Sequence, residues 1–304
     1  MTAVKEEITI CICTYKRAAL LGDLLKKLWA LKTDALFSYR VVVVDNDSEE
    51  SARPVVESLQ RQSPVPISYH VQPEQNIALT RNTAVENATG EYLAFIDDDE
   101  FPEEGWLLAL YLALKKYDCA GVLGPVRPWF GAECPRWLVR ANLVERKSHE
   151  SGTVMDAHEC RTGNVLMERR IFDDPDNRFE RQYGRTGGED VWFFVRVMAK
   201  GYRFVWCEEG PVHEIVTPER CKALYYIRRS VRMGGVSGEE VRTKGAPGRS
   251  FSLVFAAACA YLAFLPVAFL MGKHRFVRCL TKGAYHCSWL LGYLGHVPIR
   301  VRDD

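Results

Sequence analysis

The run Tyr39 to Val44 constrains this chain most: it is β-branched, ends in four consecutive valines and stops abruptly at Asp45-Asn46-Asp47-Ser48. Apolar side chains pointing both ways belong to a strand covered on both faces, the condition of a strand inside a parallel sheet. Other segments repeat the pattern. Ile8 to Thr14 reads as a buried strand ending at the turn-like Thr14-Tyr15-Lys16-Arg17. Ile67 to Val71 reads as a third strand, and Tyr92 to Ile96 as a fourth that runs into Asp97-Asp98-Asp99. Between them Leu20, Leu21, Leu24, Leu25 and Leu28 recur at helical spacing. A second helix is expected from about Arg53 to Gln62, and a third from Asn76 to Ala88, closed by Gly90. Strands alternating with helices predict an α/β fold with a doubly wound, mostly parallel sheet. Such sheets gather ligands beyond the carboxyl ends of their strands, where the polar residues after strands one, two and four all fall.

From about Val122 to Val216 the pattern is less regular, with more loops, tryptophans and arginines, as expected of a second half laid over the first. Ten cysteines are too few for a disulfide scaffold in 304 residues, and no CxxC pair suggests zinc. Cys11 and Cys13 alternate along a strand, so both point to one face as buried reduced thiols. A net charge of +1 gives no field to draw in nucleic acid. Met1 to Glu7 is polar, unlike a signal peptide, so the expected compartment is the cytosol.

The acidic clusters carry the chemistry. Three carboxylates in a row repel one another unless water or a cation stands between them, and a hard divalent cation shared with substrate phosphates resolves this. Strand alternation puts Asp97 and Asp99 on one face and Asp98 on the other; a solvated acidic turn, extended by Glu100 and Pro102, fits the residues too. Asp45 after the second strand suits a uracil imide or a ribose hydroxyl, while Asp47 or Ser48 suits a helix N-cap. In Gly187-Gly188-Glu189-Asp190 the glycines permit a tight approach, and the acid pair opens a helix whose dipole favours it. Asp190 is either an ordinary first-turn acid or a general base for an acceptor hydroxyl. His213 follows a Gly-Pro turn and reads as structural unless it lies near Asp99, where imidazole would suit a metal.

Taken together, Thr14-Tyr15-Lys16-Arg17, Val44-Asp45-Asn46-Asp47-Ser48, Asn76-x4-Arg81-Asn82, Phe95-Ile96-Asp97-Asp98-Asp99-Glu100 and Gly188-Glu189-Asp190 resemble family-2 glycosyltransferases of the GT-A fold. The chain looks most like their bacterial exopolysaccharide branch, the succinoglycan-type glucosyltransferases, over about residues 7 to 235. The resemblance implies a nucleotide-sugar half over 1–120, an acceptor and catalytic-base half over 121–235, and a C-terminal region over 236–304. It places Thr14, Tyr15, Arg17, Asp45, Asn76, Arg81, Asp97 and Asp98 on a UDP-sugar donor, with Asn82 in support. It places Gly163, Asn164 and Glu189 on the acceptor or sugar side, in a loop with Thr162. Asp190 becomes the base of an inverting transfer, and Asp99 and His213 the ligands of Mn²⁺ or Mg²⁺. The Gln-x-x-Arg-Trp motif of processive relatives is absent, since Arg136-Trp137 lacks its glutamine, so one sugar is expected per encounter. A sugar nucleotidyltransferase would need a Gly-rich N-terminal loop that Thr14-Tyr15-Lys16-Arg17 does not supply. A non-catalytic protein on the same fold is at odds with intact Asp97, Asp99 and Asp190.

Phe251 to Gly272 holds no charge and is long enough to span a bilayer. Lys244 and Arg249 precede it, and Lys273, His274, Arg275, Arg278 and Lys282 follow, which a simple span would divide against the positive-inside tendency. Pro266 is expected to break it into a re-entrant hairpin, with Trp289 and Tyr293 on an interfacial helix. A monotopic anchor over 251–299 on the cytoplasmic face of the plasma membrane would suit a polyprenyl-diphosphate-linked glycan acceptor. Arg228, Arg229 and Arg232 would then reach a diphosphate or form a solvated helix face.

Overall fold

The computed structural model describes residues 5–244 and 250–299; Arg249 and the Lys244 side chain lie outside the described residues. The chain packs as two units, Met1–Pro128 with Arg146–Ile215, and Trp129–Glu145 with Val216–Asp304. These are packing units, drawn differently from the functional thirds expected above.

The first unit opens with β1 (Glu6–Thr14), α1 (Ala18–Leu28), β2 (Phe37–Asp45), α2 (Arg53–Gln60), β3 (Ile67–Val71), α3 (Ile77–Asn87) and β4 (Tyr92–Ile96). It continues through β5 (Glu100–Pro102), α4 (Trp106–Tyr117), β6 (Gly121–Leu123) and the start of β7 (Val126–Phe130). After α5 (Arg136–Ala141), which belongs to the second unit, come β8 (Asn164–Glu168), α6 (Glu189–Ala199), β9 (Phe204–Trp206) and β10 (Val212–Val216). Seven strands form one sheet in the order β3-β2-β1-β4-β8-β6-β9, and β5-β10-β7 form a second. In the large sheet β8 alone runs against its neighbours β4 and β6; the pairings β1-β2, β1-β4, β2-β3 and β6-β9 are parallel.

The winding follows from side-chain alternation. Ile8, Ile10 and Ile12 join a core with Leu21, Leu24, Leu25 and Leu28 of α1, Val56 and Leu59 of α2, and Trp106 of α4. Cys11 faces the other way, into a core with Ala78 and Val85 of α3 and Phe193 and Phe194 of α6. Each fully buried leucine contributes about 1.5–3 kcal/mol. The expected strand ends hold within two residues, because each stops where the polar turn begins.

The second unit holds α5, α7 (Ala223–Lys244), α8 (Phe251–Leu270) and α9 (Lys273–Tyr293). Pro266 does not break α8, which continues to Leu270; the turn comes at Gly272, whose φ of 106° few other residues adopt. The Cys11 and Cys13 thiols are free, but Cys134 is disulfide-bonded to Cys221 across 87 residues, with Cα atoms 5.7 Å apart. No spacing rule marks that pair; only tertiary packing brings it together.

Candidate active site

The carboxyl ends of β1, β2 and β4 meet, as the sequence implies. Thr14 and Asp45 are direct partners across β1 and β2, and Thr14 Oγ1 donates to Asp98 Oδ2 at 2.7 Å. Arg17 Nη1 bridges Asp98 Oδ1 and Asp99 Oδ2, both at 3.1 Å. Asp98 and Asp99 therefore face the same cation, and Asp97 lies apart, 3.9 Å from Arg81. Strand alternation fails here because β4 ends at Ile96 and Asp98-Asp99 form a turn, closed by Glu100 N–H on the Asp97 carbonyl. Burial pushes the Asp98 carboxyl up to about 6, with Arg17 pulling against it and Asp99 adding to it. Half-buried Tyr15 precedes Lys16, which makes the strand-to-helix turn at a left-handed φ of 53°, a strained conformation for a residue with a side chain.

Asp45 closes the carboxyl end of β2. It is fully buried, and its carboxylate accepts from the Asp47 N–H (3.0 Å), the Ala52 N–H (2.9 Å) and the Tyr69 hydroxyl (2.8 Å). It shapes the loop between β2 and α2 in this state. Neither Asp47 nor Ser48 caps α2; Ala52 holds that position and offers its N–H to Asp45.

Helix α3 holds the loop that leads into α6. Asn76 caps it, accepting from the Ala78 and Leu79 N–H groups, and its amide donates to the Arg181 carbonyl at 3.0 Å. A methyl on Gly184 would sit 1.7 Å from Asn76 Oδ1, so only glycine allows this approach. Six residues on, Asn82 donates to the Phe179 carbonyl and accepts from its N–H, clamping the loop at a second point. Gly187 and Gly188 then take φ values of 88° and 95°, turning the chain so that Glu189 and Asp190 open α6. Arg81 bonds Glu189, and both side chains are buried. Carboxylates of Glu189, Asp97 and Asp190 outweigh desolvation and hold Arg81 charged.

Asp190 Oδ1 accepts its own helix's Val191 N–H at 2.8 Å, and Oδ2 lies 3.8 Å from Arg161 Nε. Burial, with the Glu189 charge beside it, pushes Asp190 above the usual carboxylate range against the pull of Arg81 and Arg161. A raised carboxyl is better matched to taking a proton near neutral pH.

Glu100 is not part of an exposed turn. It begins β5, is buried, and accepts the Asp97 N–H at 3.1 Å. Burial foremost, then Asp97, lifts it well above the carboxylate range, and Arg146 opposes the rise. Glu214 lies directly across from Glu100 on β10, and Arg146 donates to Glu214 at 3.4 Å. Gly163 fits beneath them: a methyl there would come 2.8 Å from Glu100 Oε1 and 3.2 Å from Asp97 Oδ2. Thr162, beside it, is buried. Asn164, expected on the acceptor or sugar side, is buried. Its amide accepts from Trp106 Nε1 and donates to the carbonyls of Pro125 and Gly210. His213 points away from Glu214, hydrogen-bonding Glu103 at 3.2 Å and stacking on Phe101.

Sequence reasoning missed Arg146, Arg161 and Glu214. Arg146 stays charged against desolvation because Glu214, Glu100, Asp97 and Asp190 surround it electrostatically. Arg161 directly precedes the Thr162-Gly163 loop, and Glu214 follows His213; adjacency to those motifs was the available signal.

A mostly parallel sheet whose strand ends carry an acid turn, faced by a helix opening on an acid pair, is the plan of a nucleotide-sugar transferase. Solved structures agree on the fold. The mannosyltransferase PcManGT from Pyrobaculum calidifontis, in complex with GDP-Man and Mn²⁺, matches with a TM-score of 0.65 at 18% identity, covering 96% of this chain and 88% of that one. S. aureus TarS 1-349 in complex with UDP matches with a TM-score of 0.55 at 14% identity, covering 95% and 92%. The chain belongs to glycosyl transferase family 2, which it matches over residues 9–174. It is 33% identical over 296 residues to the succinoglycan biosynthesis protein ExoM of Rhizobium meliloti (strain 1021), covering 95% of this chain and 93% of that protein. Chondroitin synthase of Pasteurella multocida (strain Pm70) is 22% identical over 244 residues, 69% of this chain and 25% of the synthase.

Proposed function

We propose that this glycosyltransferase moves a single hexose, glucose, from a UDP-sugar to a polyprenyl-diphosphate-linked glycan, with inversion and with Mn²⁺ or Mg²⁺. The reaction would serve exopolysaccharide synthesis at the cytoplasmic face of the plasma membrane. One observation carries the reading: Asp97 from the donor edge and Glu189-Asp190 from α6 converge on one buried guanidinium, Arg81. The likeness to a succinoglycan biosynthesis protein supports the pathway, and structures solved with UDP and with GDP-Man and Mn²⁺ support the donor class and the metal.

The residues fit a hard cation. Asp97, Asp98, Asp99, Glu100, Glu189, Asp190 and Glu214 crowd around Arg17, Arg81, Arg146 and Arg161, seven acids to four cations. Among the described residues no three His, Cys, Asp or Glu side chains form a ready cage, so donor phosphates would complete the coordination. Asp99 would hold the ion, and His213 could join only by leaving Glu103. Bound there, the metal would offset charge on the leaving diphosphate.

The chain's own residues do the rest. Thr14 and Arg17 fix the acid turn, and Gly163 leaves room beside Asp97 and Glu100 for the sugar. Asp190, oriented by Val191 N–H and Arg161, takes the acceptor hydroxyl proton while that oxygen attacks from the face opposite the diphosphate. Asp190→Asn should leave UDP-sugar binding intact, read as an unchanged thermal shift with donor and Mn²⁺. It should cut turnover by roughly 10²–10⁴-fold. Wild-type turnover in that variant would remove Asp190 from the mechanism.

A further inference from the structure

In the second unit, α8 is apolar all round yet largely uncovered. Leu253, Phe255, Phe264, Phe269 and Leu270 are exposed, Leu270 by 85%, and only Val254, Ala258 and Ala268 are buried. Helices of this composition normally lie inside something. Its partner is α9, which runs back along it: Phe269 meets Phe276, Tyr261 stacks on His286, and Phe251 meets Tyr293. On its other side α9 is locked to α7. Methyls on Gly234, Gly235 or Gly238 would come within 2.0–3.1 Å of α9 atoms, and Ser288 Oγ donates to the Val231 carbonyl at 2.6 Å. This glycine-lined fit is the kind that brings helices into backbone contact.

Length and hydropathy (2.4) would let α8 cross a membrane. Its surroundings forbid it. The turn at Gly272 leads straight into Lys273-His274-Arg275, so a tip-first hairpin would carry those cations into hydrocarbon. Arg275, Arg278 and Lys282 recur at helical spacing on α9 and are exposed. Arg275 reaches back to Met271, and Lys282 Nζ lies 5.9 Å from the ring of Tyr261, halfway along α8. A spanning α8 would drag that stripe to the bilayer centre.

We propose that α8 lies flat in one leaflet of an anionic bilayer, its outer face among the acyl chains and Arg275, Arg278 and Lys282 at the lipid phosphates. Orientation in the plane satisfies both surfaces at once. A second copy of the chain is a poorer occupant, because pairing α8 with α8 brings two basic stripes together. The inference does not depend on the transferase chemistry, since vesicle binding is read without donor or acceptor.

The test uses the full chain with vesicles of phosphatidylcholine alone or mixed with phosphatidylglycerol. Flotation with the anionic vesicles, weakened by salt, is expected. Arg275→Gln/Arg278→Gln/Lys282→Gln should bind them roughly a hundredfold more weakly. Phe255→Gln/Leu270→Gln should lose binding to both vesicles, with an unchanged circular dichroism spectrum as the check on folding. On bound Lys273→Cys protein, an impermeant maleimide added outside should label residue 273, as read by peptide mass spectrometry. Labelling only from the lumen would mean a span, and protection from both sides a tip-first hairpin; either overturns the proposal. So does a protein that ignores vesicles and forms a dimer that Leu270→Gln dissociates.

Discussion

The Arg81 guanidinium is bonded to the Glu189 carboxylate, the residue just before the proposed base, and both groups are nearly sealed from solvent, at 9% and 6% side-chain exposure. The start of α6 is thereby fixed to α3. Removing one member leaves a buried charge alone, whereas replacing both by apolar groups of similar size need not. Arg81→Met should lower stability by about 3–5 kcal/mol. Arg81→Met/Glu189→Met should recover much of that loss in a denaturant titration. If the double variant is no more stable than Arg81→Met, the pair is not what holds α6.

Gly163 carries no positive φ, so its role is space. An added methyl would stand 2.8 Å from Glu100 Oε1 and 3.2 Å from Asp97 Oδ2, and both carboxylates would have to shift by a few tenths of an ångström. Gly163→Ala should keep a near-native melting temperature and lose roughly ten- to a hundredfold in turnover, because small displacements of positioning groups cost that much. A variant with wild-type kcat would show that the donor sugar does not use this space.

What the sequence revealed and what it hid divide along physical lines. The strands β1 to β4, the helices between them and the acid turn after Ile96 were legible, because each depends on local periodicity and ends at polar residues. The Asn76 helix start was legible for the same reason. Asp98 and Asp99 turning together toward Arg17 was not, since alternation holds only while the chain stays extended. The buried backbone and side-chain partners that packing gives Asp45 and Asn164 were not legible either, because they come from elements distant in sequence or from loop geometry. Arg146, Arg161 and Glu214 reach the site from separate elements with no shared spacing, and the Cys134–Cys221 bond joins segments 87 residues apart. Pro266 suggested a break that α8 does not make; Gly272, with its positive φ, makes the turn.

Asp99 tests the metal. Its carboxylate is buried and already shared with Arg17, so a divalent cation with donor phosphates is what would balance the remaining acids. In wild-type protein, Mn²⁺ and UDP together should raise the melting temperature more than either alone, and slow hydrolysis of UDP-glucose should require the metal. Asp99→Ala should abolish the metal-dependent part of both signals. Persistence of the joint thermal shift in that variant would move the ion elsewhere.

Arg161 tests the base through its pH dependence. The guanidinium donates to the carbonyls of His158 and Cys160, 2.8 Å from the first, and presents Nε to Asp190 Oδ2. Around Asp190, burial and Glu189 favour the protonated form, while Arg81 and Arg161 favour the charged form. A base works only when deprotonated, so turnover falls as pH drops through its pKa. Deleting Arg161 removes one of the two cations, raises that pKa further and moves the acid limb of kcat to higher pH. Arg161→Met should therefore lose activity on the acid side where wild type retains it and regain it as pH rises, and Arg161→Lys should fall between that variant and wild type. The pair is partly exposed, so high salt should narrow the difference. An acid limb that stays in place in Arg161→Met would mean that Asp190 does not set it.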